Sequence, residues 1–185
     1  IYEIVRDINL KLINDDDNTS LPFIVTEEMI KVLFENKPKV RVKKIPAKSS
    51  VGLVNGLYAT KMGMGGITVI QVMKYPADKM LELNMTGKQG DVMKESIQYA
   101  LKIAFSILPK EKKEQILEDA ANKKTFGLHI HTPEAAVPKD GPSAGAAMTL
   151  AIYSVLMDIP VRNDIALTGE IDLCKNVTAI GGVEY

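Results

Sequence analysis

From about residue 47 onward, strand-type and helix-type segments alternate along this chain, which limits the fold to a mixed sheet-and-helix architecture. "VGLVNGLYAT" (51–60) and "GGITVIQVMKY" (65–75) are β-rich runs joined by the glycine-rich "KMGMGG", the pattern of a hairpin. "DKMLELNMTG" (78–87) predicts a third strand ending at Gly87. Met93, Ile97, Ala100, Leu101, Ala104, Phe105 and Leu108 then mark one face of a long helix that starts near Asp91 and is ended by Pro109. "EKKEQILEDAANK" predicts a second, more polar helix, and "FGLHIH" a short strand. "PSAGAAMTLAIYSVLMD" predicts a helix with Pro142 at its start, and "DIALTGEI" one more strand. Hydrophobic residues make up 46% of the 185, enough for a core. The fold class expected is α/β (α+β), a mixed sheet with packed helices.

The first 46 residues read differently. Ile1, Ile4, Val5, Ile8, Leu12 and Ile13 recur at helical spacing, and Asp15, Asp16, Asp17 and Asn18 stop that helix in a solvated loop. Thr26 is placed to cap a second short helix, with Glu27 and Glu28 at its positive end and Met29, Ile30, Leu33 and Phe34 on its apolar face. Two such helices bury too little to stand alone. The basic, proline-containing "NKPKVRVKKIPAKSS" (36–50) reads as a solvated connector. The division expected is therefore 1–46 and 47–185.

Composition excludes several classes. Formal net charge is zero, so no bulk positive footprint for nucleic acid is present. The one cysteine, Cys174, rules out an internal disulfide framework. No apolar run is long enough to span a bilayer, and acids interrupt the opening "IYEIVRDINLKL", so it is not a signal peptide. The chain begins without Met, so any targeting segment would lie outside it.

The chemistry concentrates in "PKDGPSAGAAMTLAIYSVL" (138–156). Gly141-Pro142 forces a turn and puts Ser143 at a loop–helix junction, followed by Ala144, Gly145 and Ala146. Such small residues let a substrate backbone approach and leave helix-start N–H groups free for a developing oxyanion. Spacing alone favours the plainer reading, in which Ser143 merely caps the helix. A nucleophilic serine needs a base. His129 and His131 are the only histidines, and strand alternation puts both on one face. That is half a metal site, to which Glu134 and Asp140 could add oxygens, or one member of a Ser–His–Asp set, or two hydrogen-bonded strand residues. A lysine in a dry site is a further candidate base.

These segments resemble the proteolytic domain of the Lon protease family. The resemblance rests on "VGLVNGLYAT", "LELNMTGKQGDVMKESIQYAL", "HIHTPEAAVPKDGPSAG", "VRNDIALTGEI" and "IGGVEY", in family order and spacing over roughly 47–185. The opening helices resemble the end of the helical part of the family's ATPase module. The resemblance implies an ATP-dependent Ser–Lys protease of unfolded or damaged proteins, assembled as a homo-hexamer, with no membrane or nucleic-acid partner. It makes Ser143 the nucleophile, places Asp140 and Gly141 in the loop that shapes the site, and sets Thr168 beside the catalytic lysine. Counted from Gly182, that lysine falls immediately after Tyr185, and Lys139 belongs to the loop motif instead. "GGVEY" replaces a more basic ending usual in the family. No G-x-x-x-x-G-K-[ST] loop is present, so ATP and Mg2+ belong to the full-length protein and not to this chain. A cytoplasmic location is implied, the mitochondrial matrix being the alternative. The competing readings are a Lon-like binding or assembly module without catalysis, and an unrelated α/β ligand-binding domain whose serine only caps a helix.

Overall fold

The computed structural model describes residues 1–14, 22–35, 45–60, 65–133 and 139–181. The chain divides into two compact units, Ile1–Val42 and Lys43–Tyr185.

In the first unit, α1 covers Tyr2–Ile13 and α2 covers Glu27–Phe34. Thr26 caps α2 as its position predicts: its hydroxyl accepts the Met29 N–H at 3.4 Å. Neither helix buries a residue fully. The expected acidic stop at Asp15–Asn18 and the 36–44 part of the connector lie outside the described residues.

The second unit is a mixed α/β structure. β1 (Leu53–Ala59) and β2 (Gly65–Pro76) form the expected antiparallel hairpin, in register from Leu53↔Gln71 to Ala59↔Gly65. Residues 61–64 of its expected glycine-rich connection are outside the described residues. β3 (Glu82–Thr86) starts later than its apolar pattern suggests, because Leu81 takes a positive φ of 59° and turns the chain first. β3 lies parallel to β4 (Phe126–His131), which runs antiparallel to β2. With β5 (Ala166–Leu167) parallel to β1, the sheet order is β3-β4-β2-β1-β5.

The helices are α3 (Asp91–Ser106), α4 (Lys110–Ala121) and α5 (Gly145–Met157). A single 3-10 turn, Pro142–Ala144, leads into α5. Helix α5 packs on β1 and β2, and α3 packs against α5. A helix wedged between a sheet and another helix must be apolar around most of its circumference. Helix α5 meets this with Ala147, Met148, Ala151, Ile152 and Val155, all buried. From the sheet Val54, Ile70, Val72, Leu128 and Ile130 join the same core, and from α3 Met93, Ile97, Ala100 and Ala104. The buried Ser154 hydroxyl accepts the Gly52 N–H at 3.0 Å and donates to the Ile159 carbonyl, which ties the end of α5 to the start of β1.

"DIALTGEI" does not form one strand. It breaks at Thr168-Gly169, where Gly169 has φ +156°. β5 stays in the main sheet, whereas β6 (Glu170–Ile171) pairs with β7 (Val177–Thr178) in a separate two-stranded sheet. The break has a physical reason. The Gly169 N–H and carbonyl leave the strand ladder and bond instead to the Ser143 carbonyl (2.7 Å) and the Ala146 N–H (2.9 Å).

Candidate active site

Ser143 sits in the middle of the 3-10 turn, half-buried, where the chain passes from loop to α5. It does not cap that helix. The capping positions of the turn and of α5 are Gly141 and Ala144, and neither end carries a side-chain cap. The reason is register: one 3-10 turn intervenes, so Ser143 lies inside the helical segment rather than before it. Pro142, without an N–H, fits the first position of such a turn.

The backbone on either side of Ser143 is pinned. Downstream, the Gly169 N–H and the Thr168 hydroxyl both donate to the Ser143 carbonyl, at 2.7 and 3.3 Å. Thr168 and Ser143, 25 residues apart, are thus neighbours. Upstream, the Asp140 carboxylate accepts the Gly141 N–H at 3.0 Å and the Met93 N–H at 2.9 Å. The second bond caps α3 from a distance. Gly90, the residue at the N-cap of α3, has no side chain, and Asp140 supplies the missing acceptor at the third helical N–H. A carboxylate there also suits the positive helix end. Gly141 has φ +126°, a conformation that favours glycine, and among the described residues a Cβ on it would meet nothing within 4 Å. The close packing is at Gly145, whose Cβ would stand 3.0 Å from the Ser96 hydroxyl and 3.3 Å from Ile171.

His129 and His131 do share one face, as alternation predicts, and what they meet there is Thr86. Its hydroxyl oxygen lies 2.9 Å from His129 Nε2 and 2.7 Å from His131 Nδ1. Thr86 can donate its single proton to only one ring, so the other ring must donate to it. Among the described residues no group of three His, Cys, Asp or Glu side chains is placed to hold a metal ion. Glu134 lies outside the described residues, and Cys174 is exposed in the β6–β7 turn. In that turn the Asp172 carboxylate accepts the Asn176 N–H (2.8 Å) and side-chain amide (3.1 Å). These bonds hold its pKa below the usual carboxylate value.

The glycines of "TGKQG" (86–90) face occupied space. A Cβ at Gly87 would fall 2.1 Å from the Thr132 carbonyl oxygen, and the space beside Gly90 is filled by the Asp140 carboxylate.

Sequence reasoning passed over Gln89, Thr132, Ser96 and Asn55, all buried polar residues. Gln89 and Thr132 join the ends of β3 and β4, and Ser96 donates a long 3.5 Å bond to the Pro142 carbonyl. Asn55 gives both amide hydrogens to the carbonyls of Asn163 and Ile165, fixing the approach to β5. Nothing local in the sequence distinguishes these from exposed polar residues.

A serine in a small-residue turn, clamped on both sides over a mixed α/β core, is the kind of site a hydrolase builds. Residues 24–185 match the Lon protease (S16) C-terminal proteolytic domain. The chain is 39% identical over 184 residues to the Lon protease of Aquifex aeolicus, covering 100% of this chain and 22% of that protein. It is 36% identical over 197 residues to the Lon protease of Campylobacter concisus, covering 100% of this chain and 24% of that protein. To the mitochondrial Lon protease homolog of Caenorhabditis elegans it is 38% identical over 164 residues, 86% of this chain and 16% of that protein. The chain belongs to the Lon protease family, and it spans about a quarter or less of the length of these relatives. No helix among the described residues is long and apolar enough to cross a membrane.

Proposed function

We propose that this chain is the proteolytic part of an ATP-dependent serine protease that degrades unfolded or damaged proteins through a Ser–Lys dyad. The observation that carries this reading is the site's own geometry: Ser143 makes no cap, and its turn is clamped by Asp140 upstream and by Thr168 and Gly169 downstream. In this reading Ser143 Oγ attacks the substrate carbonyl while its proton passes to the Nζ of a neutral lysine. By family spacing that lysine is the residue after Tyr185. The N–H groups of Ser143 and Ala144, in the 3-10 turn, hold the oxyanion, the Gly145 and Ala146 N–H groups being engaged by the Pro142 and Gly169 carbonyls. The C–N bond then breaks and the amine leaves with the proton from lysine. Water next attacks the acyl-serine, and its proton returns by way of the same lysine to free Ser143.

Thr168 orients the lysine. While its hydroxyl donates to the Ser143 carbonyl, its oxygen keeps lone pairs that an amine can approach. Asp140 and Gly141 shape the loop. Residues 1–46 are the end of the helical ATPase subdomain and the connector, and 47–185 the proteolytic domain. ATP and Mg2+ act in the remainder of the full-length protein, which forms a cytoplasmic homo-hexamer.

The test is Ser143→Ala in the full-length protein. It should abolish peptide cleavage while leaving the protein folded. A folded variant retaining more than about a tenth of wild-type peptidase activity would show that another group attacks; that reduction is small beside the loss of several powers of ten expected on removing a nucleophile.

A further inference from the structure

The loop that presents Ser143 takes its upstream position from the turn between β3 and α3, residues 87–90. Residues Gln89 and Lys139 form an isolated parallel bridge. The Gly90 N–H donates to the Lys139 carbonyl at 2.7 Å, and the Lys139 N–H to the Lys88 carbonyl at 3.2 Å. Asp140 then reaches the Met93 N–H. Each of these bonds fixes the loop only as well as the 87–90 turn is itself fixed.

The Gln89 side chain ties that turn to the sheet. Gln89 is 7% exposed. Its Nε2 donates to the Thr86 carbonyl at 3.0 Å and to the Thr132 hydroxyl at 3.3 Å. Thr132, 1% exposed, passes its own proton to the Gly87 carbonyl at 3.4 Å, and its N–H donates to the Thr86 carbonyl at 3.2 Å. Thr86 and His131 are the paired last residues of β3 and β4. The Gln89 amide therefore closes a ring of bonds where those parallel strands diverge, one toward α3 and the other toward the Ser143 loop. Its main chain touches that loop directly. Among the described residues the buried Oε1 atom has no partner, and the bonds of the amide run through Nε2.

We infer that Gln89 is a positioning residue for acyl transfer: its amide locks the β3–α3 turn to the ends of β3 and β4, and the turn in turn sets the Lys139–Asp140 segment and the reach of Ser143. The inference rests on Ser143 being the nucleophile. Gln89 touches neither substrate nor reacting atoms. Its loss should therefore slow the attack by Ser143 while leaving substrate binding alone.

The experiment uses the full-length protein, a short fluorogenic peptide, and a fluorophosphonate probe whose attachment point is mapped by mass spectrometry. Gln89→Met keeps the volume and removes the donors. Its kcat should fall about tenfold or more with KM within about twofold, because small misplacements of reacting groups cost rate. The probe should label Ser143 more slowly by a similar factor. A folded Gln89→Met protein with kcat and labelling within twofold of wild type overturns the inference. Should that variant fail to fold, Thr132→Val and Thr132→Ser carry the test. Valine should slow labelling and serine, which keeps the hydroxyl, should restore it; equal rates for the two overturn the inference. Wild-type protein that takes the probe at another residue would instead defeat the Ser143 assignment itself.

Discussion

Gly90→Ala should damage the protein although the backbone there has no need of glycine. Gly90 has φ −74° and ψ 175°, an extended conformation open to any residue. On that ground alone alanine would add about 0.4–1 kcal/mol by restricting the unfolded chain. The obstacle is Asp140. A Cβ at position 90 would lie 2.3 Å from its Cγ, 2.6 Å from its Oδ2 and 2.7 Å from its Cβ. No rotation about a bond so near the contact avoids it, so the carboxylate must leave. Helix α3 then loses its acceptor at Met93, a change worth about 0.5–2 kcal/mol for a helix cap. Displacing the Asp140 segment adds strain on the scale of overpacking, about 1–3 kcal/mol. The net loss for Gly90→Ala is about 1–4 kcal/mol. Asp140→Ala removes the cap, at about 0.5–2 kcal/mol, together with the acceptor of the Gly141 N–H. In the double variant the contacts with Cγ and Oδ2 are gone and only the 2.7 Å contact with the Cβ of residue 140 is left to relieve, the cap is lost once, and the unfolded-state gain returns. It should therefore be more stable than Gly90→Ala by itself. Urea unfolding of the four proteins, followed by far-ultraviolet circular dichroism, measures the cycle. A double variant whose loss equals the sum of the two single losses would refute the reasoning, because independent sites add and a shared contact does not.

Two further outcomes follow from the geometry. His129→Gln should leave probe labelling of Ser143 in the full-length protein within a few-fold of wild type, since the Thr86 hydroxyl already engages the ring nitrogen; near-total loss of labelling would make that histidine the base. The Asp172 carboxylate is held below its usual pKa by its bonds to Asn176, so its contribution to the β6–β7 turn is complete above the unfolded carboxylate value of about 3.9 and is lost as pH falls through the lower folded value. Protection of the Asn176 amide from hydrogen exchange, corrected for the intrinsic rate, should fall over that acid range in wild type and show no such step in Asp172→Asn; flat protection in wild type would remove the role of the carboxylate.

What could be read from the sequence was set by periodicity and turn chemistry. The hairpin at 51–75, the helix from Asp91 and the Thr26 cap are local features, and each is found where its pattern places it. Alternation in "HIH" likewise put both imidazoles on one face, but their partner Thr86 lies on another strand and no spacing names it. The errors share a cause. "DIALTGEI" has the composition of one strand, yet Gly169 gives its backbone groups to Ser143 and Ala146, a long-range demand that overrides local preference. Ser143 has the composition of a cap, yet Pro142 starts the helical segment one residue earlier and removes it from that role. The α3 N-terminus shows the same logic in reverse. Gly90 looks like an uncapped start until Asp140, 50 positions later in the chain, is folded against it. The room that glycine leaves is what the carboxylate occupies, so the missing side chain at 90 and the acid at 140 form one feature. A sequence read one window at a time divides that feature in two, and with it the connection between the first turn of α3 and the loop that carries Ser143.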